Sequence, residues 1–178
     1  YLAAKMGQTA ALELLVNAGC DVNQADENGV TPAHIAAQQG HTAALKLLVT
    51  AGCDVNQAEE DGWTPAYVAA FKGQTAALEL LVKAGCDVNR ATSGGSTPAY
   101  TAAFDGHTAT LEILIKANCD VNQAKSDGST PAYIAAQEGQ TTALELLVDA
   151  GCDVKQAVNT GATPAHIAAA NGHTAALE

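Results

Sequence analysis

Cysteines stand at Cys20, Cys53, Cys86, Cys119 and Cys152, and histidines at His34, His41, His107, His166 and His173. Thiols and imidazoles form disulfides, ligate metals and act as nucleophiles or general bases, so their spacing is the first test of any chemistry. The cysteines keep a constant step of 33 residues, and so do Pro32, Pro65, Pro98, Pro131 and Pro164. Self-similarity at a fixed period identifies a repeat architecture. Equivalent residues of stacked repeats lie about 10 Å apart, beyond the roughly 7 Å Cα limit of a disulfide. The cysteines are therefore expected to be reduced, mostly buried, packed as small hydrophobes, and to belong to a reducing compartment. The histidine slots are filled in other copies by Tyr67, Tyr100 and Tyr133 or by glutamine. A metal ligand or general base would not survive those exchanges, so no catalytic, metal or cofactor site is expected among them.

Other motifs carry no chemistry either. Ser93-Gly94-Gly95-Ser96 is rich in glycine, but no Gly-Lys-Ser/Thr follows it. Asp21-Val22-Asn23-Gln24-Ala25 lacks the later ligands and closing glutamate of a calcium loop. Glu13, Glu79, Glu112 and Glu145 recur in phase and read as a solvated face.

The elements that carry these residues follow from one copy. Thr31 suits an N-cap and Pro32 the first helical position, and Gly40 can close this first helix in the left-handed conformation. Thr42 is the expected cap of a second helix with Leu45, Leu47, Leu48 and Val49 on its apolar face. Gly52 stops it, and at the matching place Asn118 is the next-best residue for a positive φ. The polar stretch between copies, with its Asp-Gly and Asn-Gly pairs, is a turn flanked by no alternating strands, so only a short finger is expected. Full copies span residues 26–58, 59–91, 92–124 and 125–157, with partial copies at 1–25 and 158–178. No linker interrupts them, and the whole is read as a single domain, 1–178.

In its order Gly-x-Thr-Pro-Ala-His/Tyr, Ala-Ala-x-x-Gly-His/Gln and Leu-Leu-Val-x-Ala-Gly-Cys-Asp-Val-Asn, the chain resembles the ankyrin repeat family along its whole length. The resemblance implies an all-α solenoid of stacked helix-turn-helix units joined by short β-turn fingers. It also implies that the side chain at His34, Tyr67, Tyr100 and Tyr133 ties neighbouring turns together. One departure is that Ala33, Ala66, Ala99, Ala132 and Ala165 stand where the family usually has leucine. Closer packing or infilling by other side chains must compensate, and lower stability is the expected consequence.

The resemblance further implies a non-catalytic module that grips a protein partner on a concave face lined by turn tips and first helices. Positions where copies disagree mark what the architecture leaves free, and they fall on that face. They are the triplet before the turn glycine (Asp26-Glu27-Asn28, Glu59-Glu60-Asp61, Thr92-Ser93-Gly94, Lys125-Ser126-Asp127), the residue after it (Val30, Trp63, Ser96, Ser129), and the pair ending the first helix, such as Gln38-Gln39, Phe71-Lys72 and Phe104-Asp105. The expected binding residues are Val30, Gln38, Gln39, Asp61, Trp63, Phe71, Lys72, Ser96, Phe104 and Asp105. Trp63, Phe71 and Phe104 form an aromatic centre, and Lys72 and Asp105 a charged rim. Because sister copies carry serine or glutamine there, Trp63→Ser is expected to cost less than about 1 kcal/mol of stability.

Charge and hydropathy narrow the partners. Nineteen acids against eight bases give a formal charge of −11, which opposes phosphate neutralisation, so neither nucleic acid nor anionic membrane is an expected partner. The first residues show neither a basic segment nor an apolar core of a leader, and a cytoplasmic location is expected. Two alternatives remain open: self-association through repeat ends without polar caps, and a targeting or substrate-recruitment module of a larger enzyme-containing chain.

Overall fold

The computed structural model describes residues 1–176. Their helices are α1 (Leu2–Lys5), α2 (Thr9–Asn17), α3 (Pro32–Gln38), α4 (Thr42–Thr50), α5 (Pro65–Phe71), α6 (Thr75–Lys83), α7 (Pro98–Phe104), α8 (Thr108–Lys116), α9 (Pro131–Gln137), α10 (Thr141–Asp149) and α11 (Pro164–Asn171), followed by a 3₁₀ turn at Thr174–Ala176. No strand occurs among the described residues. Packing divides the chain into two compact units, Tyr1–Asp87 and Val88–Glu178. In the first, α1, α3 and α5 pack side by side, as do α2, α4 and α6. In the second, α7, α9 and α11 form one layer, and α8 packs on α10. Both units are thus all-α stacks of helix pairs.

From α3 onward, each first helix starts as the sequence dictates. Thr31, Thr64, Thr97, Thr130 and Thr163 are N-caps whose hydroxyls accept the backbone N–H three residues on, and proline follows each. Leu45, Leu48, Leu78, Leu81, Leu111, Leu114 and Leu147 are fully buried. Leu47 and Val49 are only half-buried, so the buried stripe of α4 is narrower than expected. Ala33, Ala66, Ala99 and Ala132 are fully enclosed, whereas Ala165 is exposed. The sites where leucine was missing have therefore closed over in four of the five copies.

The second helices begin differently from expectation. Thr42 is not the cap but the first helical residue, its hydroxyl donating to the Gly40 carbonyl at 3.3 Å, and His41 flanks it without capping. The reason lies between copies. Gly40 turns through φ +68°, and the slot after it reaches back to the previous repeat: His41 Nε2 donates to Lys5 O at 3.2 Å, and Gln74 Nε2 to Gln38 O at 3.2 Å. Residue 41 is thus committed to holding copies together. A Cβ on Gly40 would displace the Gln74 amide, and the positive φ itself favours glycine there. At the end of α8, Asn118 takes φ +58° as anticipated, the only such non-glycine residue described.

A second ladder joins the turns. Asn23 Oδ1 accepts the Asp54 N–H at 2.8 Å, Asn56 the Asp87 N–H at 2.7 Å, Asn89 the Asp120 N–H at 2.7 Å and Asn122 the Asp153 N–H at 2.7 Å. The asparagine of each Asp-Val-Asn triplet thereby satisfies a backbone donor one repeat on.

All five cysteines are free thiols, but the expected burial needs correction: Cys119 is buried, Cys53, Cys86 and Cys152 are half-buried, and Cys20 is exposed. Each follows the residue with positive φ that ends a second helix. Burial, with the adjacent aspartate, pushes the Cys53, Cys86 and Cys119 thiols up to about 11. Maleimide labelling at neutral pH should therefore modify Cys20 rapidly and Cys119 slowly, since the thiolate is the reactive form. Equal rates at these two sites in the folded protein would contradict that placement.

Candidate functional site

The turn carrying Trp63 is built by its own acid. Glu59 Oε1 accepts the N–H groups of Asp61 and Trp63, both at 2.9 Å, and Glu59 N–H donates to Trp63 O at 3.1 Å. The Trp63 carbonyl also accepts His34 Nε2–H at 2.8 Å, which ties this turn to the previous repeat as the family resemblance implied. With the backbone pinned, the indole leans on α5. Its centroid is 5.0 Å from Tyr67 at an interplanar angle of 55°, and 5.5 Å from Phe71 at 69°. Tyr67 and Phe71 are four residues apart and share one helix face. Lys72 Nζ then sits 4.5 Å from the Phe71 centroid. Tyr67, itself buried, joins this cluster from the slot that His34 fills in the preceding copy.

Trp63 is one wall of a groove of about 240 Å³, shared with Val30, Gln38, Asp26, Glu59 and Tyr1. Three expected residues, Val30, Gln38 and Trp63, therefore meet in one concavity, and Phe71 and Lys72 stand behind its indole wall. Asp61 and Gln39 are exposed. Asp26 and Glu59 were visible in the sequence as members of the variable triplets, but their place in the groove was not. Trp63 is half-buried against two rings, which corrects its reading as a freely replaceable surface residue: the expected cost of Trp63→Ser rises to about 1–2 kcal/mol.

In the second unit, Ser96 closes the corresponding turn, its N–H donating to Thr92 Oγ1 at 3.2 Å. Phe104 is 42% exposed at the end of α7, and Asp105, the next residue, has its Oδ2 buried without a hydrogen-bond partner. Lys125, in the sequence slot of Glu59, places its Nζ 5.1 Å from the Tyr100 centroid.

His34 is a positioning residue. Nδ1 accepts both the Thr31 N–H at 3.1 Å and the Thr31 hydroxyl at 2.8 Å, while Nε2–H serves Trp63. This set suits the neutral ring, and burial holds the imidazole below its ordinary value despite Trp63, Glu59 and Asp26. The unfolded chain therefore takes up the proton first, so this contribution to stability is whole above pH 6.5 and lost as pH falls below it. His34→Tyr, copied from the Tyr67 slot, should show a smaller loss of urea stability than wild type between about pH 7.5 and pH 5.5. Equal losses would remove His34 as the cause.

Other concavities are products of stacking. A crease of about 430 Å³ between α2 and α4, lined by Glu13, Val16, Lys46 and Leu47, recurs between α8 and α10 at Glu112, Ile115, Lys116 and Leu146. Among the described residues no three His, Cys, Asp or Glu side chains gather as a metal site requires, and no helix is long and apolar enough to cross a membrane.

No curated protein matches the chain. A family model described as ankyrin repeats (3 copies) matches residues 1–92 and 91–158. Ankyrin repeats are in general protein–protein interaction modules. With Thr-Pro caps, paired helices, fingers and inter-turn ties in phase along both units, and that match over most of its length, the chain belongs to the ankyrin repeat family.

Proposed function

We propose that the protein is a non-catalytic module that binds a partner protein through its turn tips and first helices. The binding residues in the first unit are Trp63, Phe71, Lys72, Val30, Gln38, Gln39 and Asp61, and in the second Phe104, Asp105 and Ser96. The observation that carries this reading is the half-exposed pair Trp63 and Phe71, packed with the buried Tyr67 beside a groove, at positions where most sister copies carry no aromatic residue. Aromatic anchors with a charged surround are the usual composition of an interface hot spot. The formal charge of −11 argues for a protein rather than nucleic acid or an anionic membrane.

Capture from a native lysate tests the reading, with wild type, Trp63→Ser and Phe104→Gln as separate baits. A partner held by wild type and released by either variant supports it; equal retention on all three overturns the proposed face. Self-association has one supporting observation, the exposure of Leu2, Leu14 and Leu15. Static light scattering separates it, since binding to another protein predicts a mass near the 18.0 kDa of one chain.

A further inference from the structure

We propose that the Trp63 groove takes the cationic side chain of a basic, extended segment of a partner protein, with the indole as one wall and Asp26 and Glu59 supplying the opposite charge. This rests on the protein-binding reading above and names the chemistry of the partner. The groove has an aromatic wall, an apolar floor at Val30, Ile35 and Val68, and two carboxylates, with no lysine or arginine in its lining. Asp26 Oδ1 accepts the Asn28 and Val30 N–H groups at 3.0 and 2.9 Å, and Tyr1 also hydrogen-bonds Asp26. Glu59 Oε1 is committed to Asp61 and Trp63. Among these neighbours the Tyr1 phenol and the His34 imidazole are titratable; burial and Asp26 raise the former, and burial lowers the latter. The ion pairs among the described residues, Glu79–Lys83 and Glu112–Lys116, lie on second helices and include no residue of the groove. Lys72, nine residues after Trp63, is held against Phe71.

Two comparisons within the chain separate these charges from the needs of the fold. The turn at residues 92–96 closes with the neutral Thr92 hydroxyl in place of a carboxylate, so turn closure does not demand an acid. In the second unit, the Glu59 slot holds Lys125, whose ammonium lies over Tyr100, in the slot of His34. The chain there places its own cation against an aromatic face. At the first unit's groove the corresponding position carries negative charge beside an indole, the strongest aromatic partner for a cation. The five carboxylates of Asp26, Glu27, Glu59, Glu60 and Asp61 face a single acid, Asp127, in the matching triplets of 92–94 and 125–127. Charge complementarity therefore selects a basic occupant over a neutral or acidic one.

The test uses a capped ten-residue peptide of alternating arginine and glycine, with glutamine–glycine and glutamate–glycine peptides as comparisons. Trp63 is the sole tryptophan, so its emission reports directly on the groove. The arginine peptide is expected to shift that emission saturably, and the other two to leave it unchanged. Calorimetry should show affinity falling about tenfold or more in Asp26→Asn/Glu59→Gln and in Trp63→Ser. Both amide replacements keep an acceptor oxygen for the turn N–H groups, and circular dichroism checks the fold. Glu112→Gln/Glu145→Gln removes the same charge elsewhere and should weaken binding less than about twofold. Equal weakening in the two double variants, or no emission shift, overturns the proposal. If a protein partner is then lost with Trp63→Ser but retained by Asp26→Asn/Glu59→Gln, the cation reading fails while the binding face stands.

Discussion

Leu81→Ala is expected to cost the folded protein about 2–5 kcal/mol, while Leu15→Ala costs less than about 1 kcal/mol. The two leucines occupy the same register place in α6 and α2, within nearly identical Leu-Glu-Leu-Leu-Val sequences. Helix propensity and residue chemistry are therefore matched, and burial differs: Leu81 is 0% exposed and Leu15 47%. Truncating Leu81 removes apolar surface from a closed site and leaves a cavity that packed neighbours fill only in part. At Leu15 half of that surface already meets water. Urea unfolding of each variant checks this. Equal losses would mean that stability resides in the helices themselves rather than in their stacking.

The second large effect is on binding. Trp63→Ser should weaken affinity for a captured partner by about 2 kcal/mol or more, roughly 30-fold, and Phe71→Gln should do likewise. The edge contact between the two rings makes them one unit. Their combined loss should therefore depart from the sum of the single losses by about 0.5 kcal/mol or more, as neighbours in contact do. Strict additivity in a double-mutant cycle would show that the indole and the phenyl ring act on separate parts of the partner.

Much of the fold was legible because it depends on local rules repeated in phase. Thr31-Pro32 and its equivalents specify a cap and a first turn whatever lies around them, and Asn118 could be assigned a positive φ because glycine fills its slot in the other copies. Thr42 misled because a threonine before an apolar run satisfies the capping pattern. In the fold, the His41 and Gln74 slot is committed to the preceding copy, and that contact lies 36 residues away. Cysteine burial was not legible either: five thiols in one phase after a helix-ending turn differ from exposed at Cys20 to buried at Cys119.

At the candidate site, comparing copies identified Trp63 and Phe71 as variable positions, but variability does not reveal direction. The indole folds onto α5 because Glu59 and His34 fix its backbone, and neither contact follows from a 33-residue period. Asp26 and Glu59 stood among the variable acids, yet nothing in their spacing distinguished the oxygen that builds a turn from the charge that faces a groove.

The most direct test of the central claim is calorimetric titration of one purified partner into wild type, Trp63→Ser and Lys46→Ala. Lys46 is exposed on α4, in the crease that stacking itself creates. Binding through the turn-and-first-helix face predicts a loss of about 30-fold or more for Trp63→Ser and less than about twofold for Lys46→Ala. A partner that tolerates Trp63→Ser but is lost with Lys46→Ala would place recognition on the second helices and contradict the account.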